Sequence, residues 1–312
     1  MPQTINTNIV SLNAQRNLNG SQSALSVAMQ RLSSGLRVNS AKDDAAGLAI
    51  AERMNSQVRG MNVAIRNAND GISLAQTAEG ALGKIGDMLQ RMRELAVQSR
   101  NATNSDGDRA NLQREFGELQ SEMQRIVKSS NFNTKPLFDG SAGTLEFQVG
   151  ANATADDRIA INSIDLLGTA ITAASAIDTA DTTITDDMVL GTVFTGWDGT
   201  NGVSIGGTAT GLTTVATVSQ IDDAINVIDR ALNIINDKRA IFGAVQNRFE
   251  AVIGNLQTAS ENQAAARSRI MDADFAAETA ALSRAQILQQ AGNAMVAQAN
   301  QLPQQVLSLL GR

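Results

Sequence analysis

Apolar residues recur every three or four positions over both ends of the chain and give way to alternation in between. Leu18, Leu25, Met29, Leu32 and Leu36 are spaced 7, 4, 3 and 4, which places them on one stripe of a helix. Ser40, Asp43 and Asp44 supply N-cap oxygens before Ala45, Leu48 and Ile50. No Pro interrupts the chain from there to Arg100, and Ile65, Ile72, Ala75, Leu82, Ile85 (or Gly86), Leu89, Met92 and Ala96 (or its neighbour Leu95) keep an approximate heptad. The pattern predicts one helix from Ala45 to Ser99. At ~1.5 Å per residue it would be on the order of 80 Å long, wider than most compact domains, so a rod is expected. The turn cluster NATNSDGD (101–108) then introduces a helix over about 108–127, with Leu112, Phe116, Leu119, Met123 and Ile126 on one side. Two helices joined by so short a turn form an antiparallel hairpin.

The period changes near Asn131. Leu145, Phe147 and Val149 alternate with polar residues, as do Ile159 and Ile161 beyond GANATADD, which predicts a β-hairpin. From about Gly168 to Val218 the chain is rich in Thr, Gly, Ala and Asp. That stretch is read as a small, surface-exposed β or irregular insert with Trp197 anchoring its core. Helical rhythm returns at Ser219: Ile221, Ile225, Ile228, Leu232 and Ile235 begin a second long helix of about 40 residues that can pack on the first as a coiled coil. Leu288, Ala291, Met295, Ala299, Leu302, Val306 and Leu309 carry the stripe to the C-terminus. The fold class expected is mainly α, a long antiparallel coiled-coil-like rod with a β-hairpin and a small insert.

Charge sharpens this picture. The 312 residues carry a net charge of −6. Nine Asp and no Glu, Lys or Arg lie between Ile159 and Asp229, so the remainder is mildly basic. Residues 1–36 contain only Arg16 and Arg31, and residues 285–312 only Arg312. Asn and Gln fill the polar positions of both ends. Amide faces can be buried at modest cost when hydrogen-bonded, whereas charged faces cannot. Both ends are therefore expected to be enclosed between copies of the chain, with Leu18, Leu25, Met29, Leu32, Leu36, Leu288, Met295, Leu302, Val306 and Leu309 as the assembly interface. Such faces lack the cations of a membrane-surface helix, no apolar run reaches a membrane span, and the acidic balance argues against nucleic acid.

Composition removes most chemistry. With no Cys and no His, thiolate nucleophiles, Ser-His-Asp triads and the usual zinc and haem ligands are excluded. The Asp pairs at 43–44, 156–157, 186–187 and 222–223 are the only carboxylate clusters. Adjacent side chains diverge on a helix or strand, so these read as a helix cap, turn residues and first-turn acids rather than sites. The glycines at 196, 199, 202, 206 and 207 lack the Lys and strand–helix frame of a phosphate loop. No catalytic residue, metal or cofactor is expected. The stretch from Gln90 to Arg109 reads, on residues alone, as a solvated helix face.

The strings MPQTINTNIVSLNAQRNL, LSSGLRVNSAKDDAAGLAIAERM, NDGISLAQTAEGAL and MLQRMRELAVQS, with NRFEAVIGNLQTASENQAAARSRIMDADFAAETAALSRAQILQQAGNAMVAQANQLPQQVLSLLGR at the other end, closely resemble the two terminal regions of bacterial flagellin. The resemblance covers about residues 1–168 and 220–312; the middle matches no motif. A hook–filament junction protein is the nearest alternative, and the intact SGLRVNSAKDDAAGLAI and LPQQVLSLLGR strings favour flagellin.

The resemblance implies a structural subunit, not an enzyme, that polymerises into the helical filament of swimming bacteria. It implies a terminal domain of residues 1–42 and 268–312 that orders on assembly, a helical rod domain of 43–168 and 220–267, and a variable outer domain of 169–219. It further implies export of the unfolded chain through the flagellar type III channel, in keeping with an N-terminus that lacks a secretory signal pattern. The partners implied are an export chaperone, a filament cap protein and hook–filament junction proteins. It also implies recognition by the flagellin-sensing Toll-like receptor of animal hosts, through Arg91, Leu95 and Glu115 with Gln90 and Gln98 beside them.

Overall fold

The computed structural model describes residues 8–141, 143–166, 189–190, 193, 203–205 and 218–310, and no side chains from 302 to 310. Trp197, the Asp pair at 186–187, the interior glycines and the side chains of Leu302, Val306 and Leu309 lie outside them. The described chain forms α1 (Ile9–Ser34), α2 (Ala45–Ser99), α3 (Asp106–Ser129), two short strands β1 (Asn131–Phe132) and β2 (Lys135–Pro136), then β3 (Thr144–Gln148), β4 (Arg158–Asn162), α4 (Val218–Met271) and α5 (Phe275–Leu310). The expected helix over 45–99 is present end to end, at 55 residues. The second long helix, α4, has 54 residues, longer than the apolar stripe alone suggested.

The chain divides into two compact units, residues 1–59 with 259–312, and residues 60–258. In the first unit α1 and α5 run antiparallel. Asn8 Nδ2 donates to the Ala299 carbonyl at 2.7 Å, Leu18 lies against Gly292, and Arg31 pairs with Glu278 at 3.0 Å. The paired residue numbers rise on one helix as they fall on the other, so the register is fixed. A small core of Val38, Ala51 and Met271, with Leu36, Leu48 and Ile270 around it, closes the turn after α1. Gly35 ends that helix in the left-handed conformation, φ 71°, with its N–H on the Arg31 carbonyl.

The second unit holds the larger core. Positions 61, 64, 68, 71, 75, 78, 82, 85, 89, 92, 96 and 99 of α2 are all buried, a strict 3–4 repeat. Ile221, Ala224, Ile228, Ala231, Ile235, Phe242 and Phe249 answer it from α4. The two helices are antiparallel: Arg100 pairs with Asp222, Arg93 with Asp229, and the Phe249 ring lies on Gly71. Asp222 and Asp223 fall beyond the first turn of α4, which contains no acid, because the helix starts at Val218. Asp222 thus serves an ion pair rather than the helix dipole.

The α2–α3 hairpin is present as expected. A reciprocal capping box starts α3, in which Ser105 Oγ accepts from the Asp108 N–H at 3.2 Å and Asp108 accepts from the Ser105 N–H at 3.0 Å. Its buried side includes Gln113 and Gln120 as well as Phe116, Met123 and Val127. The expected β-hairpin pairs Leu145 with Ile161 and Phe147 with Ile159. The Phe147 ring meets Phe249 edge-on, with centroids 5.6 Å apart.

The insert differs from expectation in one respect. Its described residues Val189, Leu190, Val193, Val203 and Ile205 are at most 1% exposed and belong to the main core. They are apolar and β-branched or branched, and α2 and α3 offer them a surface, so this part of the insert is interior rather than surface-exposed.

Candidate functional site

Two surfaces carry the residues singled out by the sequence, and neither resembles a catalytic centre. Among the described residues no group of three acidic side chains is placed to hold a metal, and no helix is long and apolar enough to cross a membrane. An open groove bounded by Asp70, Leu74, Lys135 and Glu146 lies beside β3. It gathers no nucleophile with a base.

The first surface is the paired terminal helices. The side that α1 turns toward α5 carries Ser11, Ser21 and Ala28, all buried, with Leu18, Leu25 and Leu32 half-buried. From α5 it is met by buried Ala285 and Ala299 and half-buried Leu282, Gln289, Gly292 and Val296. Small residues bring the helices close: a Cβ at Gly292 would lie 3.1 Å from Leu18 Cδ1. The larger apolar side chains are thereby left outside. Ile9 is 67% exposed, Leu12 52%, Met29 54%, Ile287 65%, Leu288 53% and Met295 60%. Of the ten sequence-derived interface residues, seven have described side chains: Leu18, Leu25 and Leu32 face the partner helix of the same chain, Leu36 joins the small core, and Met29, Leu288 and Met295 point to solvent. Ile9, Leu12 and Ile287 were not singled out from the sequence, since they sit off the stripe of regular spacing. Their signal was available in the lack of charge around them.

The second surface spans α2 and α3. The Arg91 guanidinium donates to Glu115 at 2.7 and 2.9 Å and to Glu94 at 2.9 Å. These hydrogen bonds, chiefly that to Glu115, raise the Arg91 pKa above its ordinary value. On the other flank Arg93 pairs with Asp229 at 2.5 Å, and its pKa is raised by that bond. Gln90, Arg91, Gln98 and Glu115 are exposed, while Leu95 is 1% exposed and packs in the core. Leu95 thus follows Arg91 by one helical turn but sits on the inner ridge beside Met92 and Ala96. It supports this surface without lining it. Val97, half exposed, stands on the outer face between the two ion-pair seams.

Behind the second surface the insert is held by side chains that contact its backbone. Gln113 Oε1 accepts from the Ile205 N–H at 2.8 Å and from Ser204 Oγ at 3.3 Å. Gln120 Nε2 donates to the Val193 carbonyl at 3.1 Å, and Ser99 Oγ donates to the Ile205 carbonyl.

These features can be set beside known proteins. Residues 5–143 match the family described as the bacterial flagellin N-terminal helical region, and residues 225–310 the bacterial flagellin C-terminal helical region. A flagellin of Halalkalibacterium halodurans is 45% identical over 306 residues, covering 98% of this chain and 99% of its own. Flagellin D of Vibrio anguillarum is 38% identical, with all of both chains covered. The crystal structure of Bacillus cereus flagellin is 27% identical and superposes with a TM-score of 0.43, covering 65% of this chain and 94% of that one. With both terminal regions matched and whole-length relatives at such identity, the chain belongs to the bacterial flagellin family, as a structural subunit of the flagellar filament and not an enzyme.

Proposed function

We propose that this chain enters the filament through its paired terminal helices, whose outward apolar side chains become buried between neighbouring copies. The observation that carries this reading is the exposure of Ile9, Leu12, Met29, Ile287, Leu288 and Met295 on two helices almost without charge. Exposed apolar patches rimmed by neutral amides favour association over solvation. Leu302, Val306 and Leu309 extend the same interface on sequence grounds. Residues 1–42 and 268–312 order on assembly, when neighbours supply the burial that offsets lost chain entropy. Residues 43–168 with 220–267 form a helical domain, and 169–219 form the variable outer domain.

The same reading includes travel of the unfolded chain through the type III channel to the outside of the cell, with an export chaperone, a cap protein and junction proteins as partners. Deleting residues 288–312 tests its core. The truncated chain is expected to keep its helical signal and cooperative melting but to form no filaments. Filaments from the truncated chain would overturn the reading.

A second surface supports a second role. Arg91 and Glu115, paired and exposed with Gln90 and Gln98 beside them, offer a charged and amide-rich ridge to the flagellin-sensing Toll-like receptor. Neighbouring subunits would cover this ridge in the filament, so the free chain is the form recognised.

A further inference from the structure

We infer that Met29 and Met295 are the oxidation-sensitive sites among the described residues, and that their conversion to sulfoxide by a peroxide blocks polymerisation of the free chain. The inference rests on the assembly reading above. The chain has ten Met but no Cys, His or Tyr, so thioethers are its main targets for mild two-electron oxidants. Burial separates them. Within the helical domain Met61, Met92 and Met123 are at most 7% exposed, and Met54 and Met88 are half-buried. Among the described residues only Met29 and Met295 are open, at 54% and 60%. Both lie on the terminal helix pair, one on each helix.

Met29 follows buried Ala28 and points away from the α1–α5 contact. Met295 lies two turns beyond Leu288, itself exposed, on the same side of α5. Neither sulfur is shielded by the chain's own packing. The sulfur lone pair attacks one oxygen of hydrogen peroxide, the S–O bond forms as the O–O bond breaks, and water leaves after a proton shift. The thioether loses two electrons and the peroxide gains them. A flexible apolar side chain becomes a polar, chiral sulfoxide, which must then be desolvated wherever a neighbouring copy is to pack. Subunits already in the filament would be protected, because the same contacts exclude solvent. Sulfoxide reductases specific for the two epimers reverse the change.

The test treats full-length free chain and preformed filaments with hydrogen peroxide, then maps each Met by peptide mass spectrometry and measures seeded elongation. In the free chain Met29 and Met295 are expected to oxidise well ahead of Met92 and Met123, and in filaments to be spared. Elongation of the oxidised chain is expected to fall about tenfold and to recover with the reductases. A Met29→Leu/Met295→Leu chain should elongate normally after the same treatment. Even oxidation of all Met, or undiminished elongation when both are sulfoxide, overturns the inference. A Met29→Gln/Met295→Gln chain separates the two ideas: normal elongation by it means the assembly reading is wrong at these positions. If it fails to elongate while the oxidised wild type does not, only the oxidation step is wrong.

Discussion

The phenyl ring of Phe249 lies directly on the backbone of Gly71, so near that a Cβ there would fall 2.6 Å from Cζ. Phe249 is fully buried and meets Phe147 edge-on, so it cannot withdraw. On helix propensity alone Gly71→Ala would stabilise α2 by ~1 kcal/mol. Overpacking costs ~1–3 kcal/mol, and here it has no soft partner to absorb it. Gly71→Ala is therefore expected to lower the melting temperature of the free chain. A higher melting temperature would mean that the ring shifts freely.

The buried glutamines of α3 supply a second prediction. Gln113→Leu removes the acceptor of the Ile205 N–H and leaves that donor unpaired in the interior. Such a loss costs ~1–3 kcal/mol. Amide exchange at Ile205 should accelerate markedly, while exchange at Ile159 and Ile161 in the β-hairpin should not. Equal protection of Ile205 in both chains would show that its N–H has another partner.

These glutamines also show where the sequence was legible and where it was not. The β-hairpin follows from the period-two alternation of Leu145, Phe147, Ile159 and Ile161, because a one-residue slip would expose every apolar side chain. The starts of α2 and α3 follow from the cap-forming residues that precede them, of which Asp44 and Ser105 accept the first free N–H groups. Gln113 and Gln120 were read past, since a polar residue on a helix normally belongs to its wet side. Their burial depends on insert residues 73 and 92 positions away, Val193 and Ile205, which no local pattern encodes. Leu95 reads two ways from its spacing, one turn beyond exposed Arg91 and next to core position 96, and its side chain is buried. On α5 the stripe through Leu288 and Met295 includes Ala299, yet the intrachain contact also uses Ala285 and Gly292 off that stripe, because small residues allow the closer approach.

Acid should weaken the capping box that starts α3. The Ser105 hydroxyl and then the Ser105 N–H hold the Asp108 carboxyl below its ordinary value. A carboxylate whose pKa is depressed by folding contributes stability above its unfolded value and loses it as pH falls through the folded one. Asp43 is held down in the same direction by the hydroxyl and N–H of Ser40. Asp108→Asn should thus melt below wild type at pH 7, and the gap should close as pH drops below ~4. A gap that persists at pH 2 would assign the difference to something other than ionisation.

Arg91 and Leu95 provide the sharpest separation of recognition from folding. Arg91 is exposed and bound to Glu115 and Glu94 at the surface, where ion pairs add little to stability. Leu95 is 1% exposed in the core, and its truncation to Ala is expected to cost ~2–5 kcal/mol. Arg91→Ala should therefore leave the melting temperature of the free chain nearly unchanged. Leu95→Ala should lower it by roughly 5–15 °C. In a reporter-cell assay of the flagellin-sensing receptor, Arg91→Ala is expected to raise the half-maximal dose about tenfold or more, as for an exposed Arg anchor. Leu95→Ala should weaken signalling only as far as it disorders the ridge, so signalling measured well below its melting point should recover more than that of Arg91→Ala. An Arg91→Ala chain that signals like wild type would remove this ridge from the receptor contact.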